Sequence, residues 1–128
     1  MSTAKCRILY VDDHDDSGQM IKLLLAPMDY EVVAAQTVDE ALELARTQQF
    51  DLYVLDKRLP DGSGIELCRR LTSMHPTVPC IFYSGDAYEI HRQEAAAAGA
   101  AAYVPKPDVD ALIETVQKYL ADGECATA

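Results

Sequence analysis

Short apolar runs, each closed by a polar or turn-forming cluster, punctuate this chain, and stretches with helical spacing lie between them. Arg7-Ile8-Leu9-Tyr10-Val11 is the first run and stops at Asp12-Asp13-His14-Asp15-Asp16. Glu31 to Ala35 is the second, Leu52 to Leu55 the third, Val78 to Tyr83 the fourth and Ala100 to Val104 the fifth. Runs of this kind suit parallel strands covered on both faces, although periodicity alone does not separate them from buried helix. Between the first two, Met20, Ile21, Leu24, Leu25 and Met28 recur at helical spacing, with Asp15 or Asp16 as the expected cap and Pro27 leaving the helix end open. Thr37 followed by Glu40 forms a capping box, continued by Val38, Ala41, Leu42 and Ala45. Ile65, Leu67, Cys68 and Leu71 mark a third helix that fades at Met74-His75-Pro76. A fourth runs through Ile90 and Ala95 to Ala98 and stops at Gly99. Asp108 caps a last helix carrying Val109, Leu112, Ile113, Val116, Tyr119 and Leu120 on one face. Strands alternating with helices predict an α/β fold, a parallel sheet with helices on both faces. Residues 4–121 form one expected domain, and 122–128 a frayed tail.

The third run ends where the chain turns sharply. Asp56 closes it, and Pro60-Asp61-Gly62-Ser63-Gly64 is dense turn chemistry. A carboxylate at the carboxyl end of a buried strand sits where open α/β sheets place their ligands. Taken alone, Asp56 reads equally well as a turn cap. The other strand ends decide the matter.

Every parallel strand ends at the same sheet edge, so Asp12, Asp13, Asp56, Ser84 and Lys106 are expected to converge there. Clustered carboxylates repel and drive one another's pKa upward unless a cation holds them. An all-oxygen donor set suits Mg²⁺, which keeps several waters and accepts a phosphate partner. A hydroxyl and an ammonium opposite would hold phosphoryl oxygens, and an aspartate can itself be the nucleophile. Phosphoryl transfer onto a carboxylate is the chemistry this pattern implies.

Composition narrows the rest. The 128 residues, 49% hydrophobic and 25% charged, describe one soluble globular domain. Eleven basic against twenty-one acidic residues, net charge −10, disfavour direct contact with nucleic acid or an anionic membrane. No apolar run approaches the roughly 20 residues of a membrane span, and Met1 to Lys5 lacks a signal core, which predicts a cytoplasmic chain. Cys6, Cys68, Cys80 and Cys125 are scattered, which indicates neither a zinc site nor a disulfide framework, and the first three read as small core residues.

The motifs together resemble the receiver domains of response regulators in two-component signalling. Tyr10-Val11-Asp12-Asp13, Val54-Leu55-Asp56 with Leu59 to Gly64, Tyr83-Ser84-Gly85, and Gly99 to Pro107 occur in that order, and the resemblance spans about Lys5 to Leu120. It implies a flavodoxin-like (βα)5 fold with sheet order 2-1-3-4-5. It further implies Asp56 as phosphoacceptor and Mg²⁺ as cofactor, held by Asp13, Asp56 and the backbone carbonyl of Arg58, with Asp12 acting mainly through metal-bound water. Ser84 is similar to the switch hydroxyl, Tyr103 to the aromatic that turns inward behind it, and Lys106 to the lysine at the phosphoryl oxygens, followed by a cis bond to Pro107. The implied donor is a histidine kinase or a histidine phosphotransfer protein. Output passes to an unnamed downstream protein, or to a second copy of the chain, through the face of the fourth helix, fifth strand and fifth helix. That face would carry Tyr88, His91, Arg92, Glu94, Tyr103 and Lys118. The protein is then no ordinary enzyme: it catalyses only its own phosphorylation and slow hydrolysis.

Some residues depart from the family pattern. Lys57 stands where an apolar residue is common and is followed by Arg58; two cations beside an aspartyl phosphate predict slow dephosphorylation. Asp29 and Val38 occupy positions where glycine is frequent. His14, beside the acids, reads as a surface residue. Two other classes compete. A flavodoxin-like electron carrier would want glycine- and hydroxyl-rich phosphate turns after the first strand, where this chain has four aspartates in five residues. A phosphoester hydrolase would place its nucleophile after the first strand and needs a cap domain. A receiver portion cut from a longer regulator with a DNA-binding or enzymatic output domain stays open.

Overall fold

Strands β1 (Cys6–Val11), β2 (Tyr30–Ala35), β3 (Leu52–Leu55), β4 (Cys80–Ser84) and β5 (Ala102–Pro105) form one parallel sheet of order β2-β1-β3-β4-β5 in a computed structural model that describes residues 6–85 and 89–120. This is the expected doubly wound order. Helices α1 (Asp15–Leu25), α2 (Val38–Thr47), α3 (Gly64–Met74), α4 (Glu89–Ala97) and α5 (Val109–Leu120) connect the strands. The sheet divides the core in two because alternate side chains point to opposite faces. Leu9, Val11, Leu55 and Phe82 pack with Ala41, Leu42, Leu67, Leu71 and Ala95 under α2, α3 and α4. Ile8, Tyr10, Val54 and Ile81 pack with Ile21, Leu25, Leu112 and Val116 under α1 and α5. All four residues of β3 are buried, as a central strand requires.

Several boundaries differ from the sequence pattern for local reasons. Helix α1 begins at Asp15 with His14 at its N-cap, so Asp15 and Asp16 lie in the first turn and favour the helix through its dipole instead of capping it. Met20 is exposed, and the buried stripe is Gly18, Ile21 and Leu25. Pro27 lies in a 3-10 turn (Ala26–Met28) that continues the helix, and Asp29 closes it in the left-handed region at φ 68°, a conformation aspartate tolerates better than most residues. Strand β4 starts after Pro79, which has no N–H to give the ladder. Cys68 and Cys80 are free and buried. Cys6 is also buried but is disulfide-bonded. Sequence spacing carries no information on which sulfurs a fold brings into range, hence the wrong expectation. Cys125, Tyr88 and the tail from 122 onward also lie outside the described residues.

The turn after β3 is a short antiparallel ribbon, Arg58–Leu59 with Gly62–Ser63. Ser63 accepts a hydrogen bond from Ile65 N and caps α3. Asp61 accepts from Val38 N at 2.7 Å and Asp39 N at 3.1 Å, and Thr37 accepts from Glu40 N, so α2 is capped both by itself and by the loop of the neighbouring strand. The Glu40 carboxylate takes Gln36 N, closing the box one residue earlier than the usual pattern.

Candidate phosphoryl-transfer site

The sheet ladder carries the candidate residues to one edge. Asp12 N donates to Ala35 O at 3.0 Å, Asp56 N to Val11 O at 2.9 Å and Lys106 N to Ser84 O at 2.8 Å. Their side chains therefore leave β1, β3 and β5 side by side. The Lys106 ammonium donates to Asp12 Oδ2 at 2.6 Å and to Asp56 Oδ2 at 3.1 Å, bridging positions 94 and 50 residues away. Asp12 is buried to 3% exposure, and Tyr10 Oη, His14 N and His14 Nδ1 surround it within 3.0 Å. Asp13 and Arg58 are exposed, and they line a cleft of about 260 Å³ together with His14, Asp56, Ser84 and Gly85. Lys106 and Pro107 are joined by a cis peptide bond, as expected.

Electrostatics follow from this packing. Burial alone would raise the Asp12 pKa, but hydrogen bonds from Lys106 and His14 outweigh it and hold the carboxyl below its ordinary value. Burial would likewise lower the Lys106 pKa, and the Asp12 and Asp56 carboxylates reverse that and raise it. His14 is pushed up by its hydrogen bond to Asp12 and by the Asp13 charge. Burial, then Asp12, pushes the Tyr10 phenol up, so it stays a donor. The edge thus holds the Asp12 carboxylate and the Lys106 ammonium in mutually favoured charge states, with the ammonium lying between Asp12 and Asp56.

Asp12, Asp13, His14 and Asp56 each offer a ligand atom, all within 4.8 Å of one another. A predominantly carboxylate set around an open cleft fits a hard divalent ion. The sequence reads His14 as a surface residue. Its side chain is 69% exposed, yet its Nδ1 lies 3.0 Å from Asp12 and 3.1 Å from Asp13, so it belongs to the cluster. Tyr10 gives no functional signal in the sequence, because a phenol inside an apolar run looks like plain core. Lys57 departs from expectation more sharply. Its side chain, 13% exposed, leaves the acidic edge and meets His91 Nδ1 and Glu94 Oε1 on α4, so only Arg58 of the two cations borders the cleft. Tyr103 is half-buried and stacks on Phe82 with ring centroids 5.9 Å apart, while Arg92 lies 5.3 Å over its ring.

Residues 8–117 match the response regulator receiver domain family. The chain belongs to that family. Among curated relatives, the response regulator PilR of Pseudomonas aeruginosa is 34% identical over 115 residues, covering 89% of this chain and 26% of PilR. The polar-differentiation response regulator DivK of Brucella ovis is 30% identical over 119 residues, covering 91% of this chain and 97% of DivK. The structure of response regulator TrrA from Thermotoga maritima in complex with Mg²⁺-BeF superposes with a TM-score of 0.81 at 31% identity, over 90% of this chain and 99% of that chain. The chain spans only about a quarter to a half of the first curated relatives it matches, 26%, 43% and 47% of their lengths. A receiver domain is a signalling switch whose family role is activation by phosphorylation, and neither a flavin carrier nor a phosphoester hydrolase is favoured.

Proposed function

We propose that Asp56 is the phosphoacceptor of this receiver domain and takes its phosphoryl group from the phosphohistidine of a histidine kinase or phosphotransfer protein. The observation that carries this is the Lys106 ammonium between Asp12 and Asp56, 2.6 and 3.1 Å from their oxygens, beside an open cleft that also holds Ser84. Attack by an Asp56 oxygen forms the new P–O bond as the P–N bond of the donor breaks, and the departing imidazole takes up a proton. Lys106 then holds one oxygen of the transferred group, and Ser84 turns its hydroxyl onto another. A bound Mg²⁺, held by Asp13, Asp56 and the Arg58 carbonyl with Asp12 behind it, would offset the charge that builds on the phosphoryl oxygens. The acidic cluster and the Mg²⁺-BeF complex of TrrA support that choice of ion.

The added charge of about −1.5 to −2 drives the output. Moving Ser84 opens space beside Phe82, against which Tyr103 already stacks. Repacking there alters the face of α4, β5 and α5, which meets a downstream protein or a second copy of the chain. Catalysis is confined to the protein's own phosphorylation and slow hydrolysis. We place the domain at residues 4–121, working in the cytoplasm; no described helix is long and apolar enough to cross a membrane. Partial coverage of PilR supports a part in a longer regulator, whereas the match along 97% of DivK supports a switch acting on its own.

The test is NMR with Mg²⁺ and beryllofluoride. Parent protein is expected to shift at the Asp56, Ser84 and Lys106 amides, and Asp56→Asn to stay silent. Equal shifts in both proteins would remove Asp56 from the role.

A further inference from the structure

Lys57 is the residue that sequence and structure treat most differently. Its backbone N donates to Asp56 Oδ1 at 2.7 Å, tying the peptide to the carboxylate. Its side chain runs the other way, to His91 Nδ1 and, at 3.3 Å, to Glu94 Oε1. His91 and Glu94 sit three residues apart on one face of α4, and they also meet each other at 3.3 Å. One residue thus touches the acceptor carboxylate through its amide and helix α4 through its ammonium. The β3–α3 loop and α4 are separate elements, so this is a direct strut between them.

We propose that Lys57 is a positioning residue that couples phosphorylation of Asp56 to the placement of α4, by a route separate from Ser84 and Tyr103. The inference rests on the reading of Asp56 as phosphoacceptor. In the resting protein the ammonium holds α4 through His91 and Glu94. Glu94 is a half-exposed monoanion, so its hold is screened by water. A phosphoryl group on the adjacent residue is a denser charge in a more closed place, with oxygens built to accept charge-assisted hydrogen bonds. The flexible four-carbon stem lets the ammonium follow it. Once Lys57 turns back to the site, α4 loses its tether and its outer face is free to rearrange.

Amide hydrogen exchange of α4 reads this directly, in full-length Lys57→Met, Lys57→Arg and a His91→Gln/Glu94→Gln double variant. Without any phosphoryl analogue, Lys57→Met and the double variant are expected to speed α4 exchange about fivefold relative to the parent, with α5 unmoved, and Lys57→Arg to restore slow exchange. With Mg²⁺ and beryllofluoride, parent α4 is expected to loosen, and Lys57→Met to show little further change. A parent whose Asp56 and Ser84 amides ignore beryllofluoride overturns the phosphoacceptor reading, and the coupling with it. A parent that responds there, while α4 exchange is the same in Lys57→Met and parent, overturns the coupling alone. Equal loosening of α4 and α5 in Lys57→Met, unrescued by arginine, also overturns it, since that marks general destabilisation.

Discussion

Lys106 and Asp12 each owe their charge state to the other, and that has a consequence for stability. Asp12 has a lowered pKa in the folded protein, so its contribution is present above the ordinary carboxyl value of about 4 and is lost as pH falls through the folded value. Lys106 has a raised pKa, so the same contact persists through neutral pH and fails only as pH climbs past about 10.4. Removing the cation strands a buried carboxylate. Lys106→Met should therefore cost about 3 kcal/mol at pH 7, and the gap to the parent should shrink as pH falls below the ordinary carboxyl value toward the lower folded value of Asp12. Urea midpoints measured from pH 3 to 8 check this; a gap independent of pH would mean the pair is not the cause. Arg58 offers a second residue-scale expectation. It lines the cleft beside Asp56, so Arg58→Asn should shorten the phosphoryl lifetime several-fold. An unchanged lifetime, followed by loss of radiolabel, would acquit Arg58 of slowing hydrolysis.

At the scale of elements, the turn after β3 shows how a loop is held to the tolerance a site requires. Gly64 N donates to Lys57 O at 2.7 Å, and a Cβ on Gly64 would stand 1.9 Å from Asp56 O. No rotamer relieves that clash, because both partners are backbone. Gly64→Ala should cost about 3 kcal/mol or more and displace the Asp56 carboxylate, seen as a lower thermal midpoint and lost beryllofluoride response. Asp61 serves the same loop from outside by capping α2, which ties the loop after β3 to a helix of the neighbouring connection. Helix α1 also packs close to β2, though with more room: a Cβ on Gly18 would stand 3.3 Å from that of Ala34. These close approaches keep the strand ends in register.

For the whole molecule, net charge −10 is concentrated most consequentially where Asp12, Asp13 and Asp56 meet. Lys106 offsets part of that repulsion, and a bound divalent ion would offset more. Adding Mg²⁺ should raise the thermal midpoint of the parent, because an ion that binds only the folded state stabilises it by mass action. Asp13→Asn should be the more stable protein without metal, and should gain much less from Mg²⁺. Calorimetric scans with and without Mg²⁺ check both halves; equal gains in the two proteins would place the ion elsewhere.

Much of this was legible in the sequence because it depends on periodicity and on chain direction. Five apolar runs alternating with helical spacing leave little besides a parallel sheet, and in such a sheet every strand end shares one edge. Asp12, Asp13, Asp56, Ser84 and Lys106 could therefore be gathered without coordinates. What periodicity does not encode is where a long, flexible side chain goes once its backbone is placed. Adjacency assigns Lys57 to the acids, yet it crosses to α4; Asp61 has the pattern of turn chemistry, yet it caps α2; Tyr10 sits in an apolar run, yet its hydroxyl serves Asp12. Cys6 follows the same rule, since its bonding depends on distance in space and not along the chain. The sequence determined the fold and the membership of the acidic edge, through local patterns that repeat along the chain. Only the tertiary structure decided the pairings, because those are settled by competition among partners that the chain itself keeps far apart.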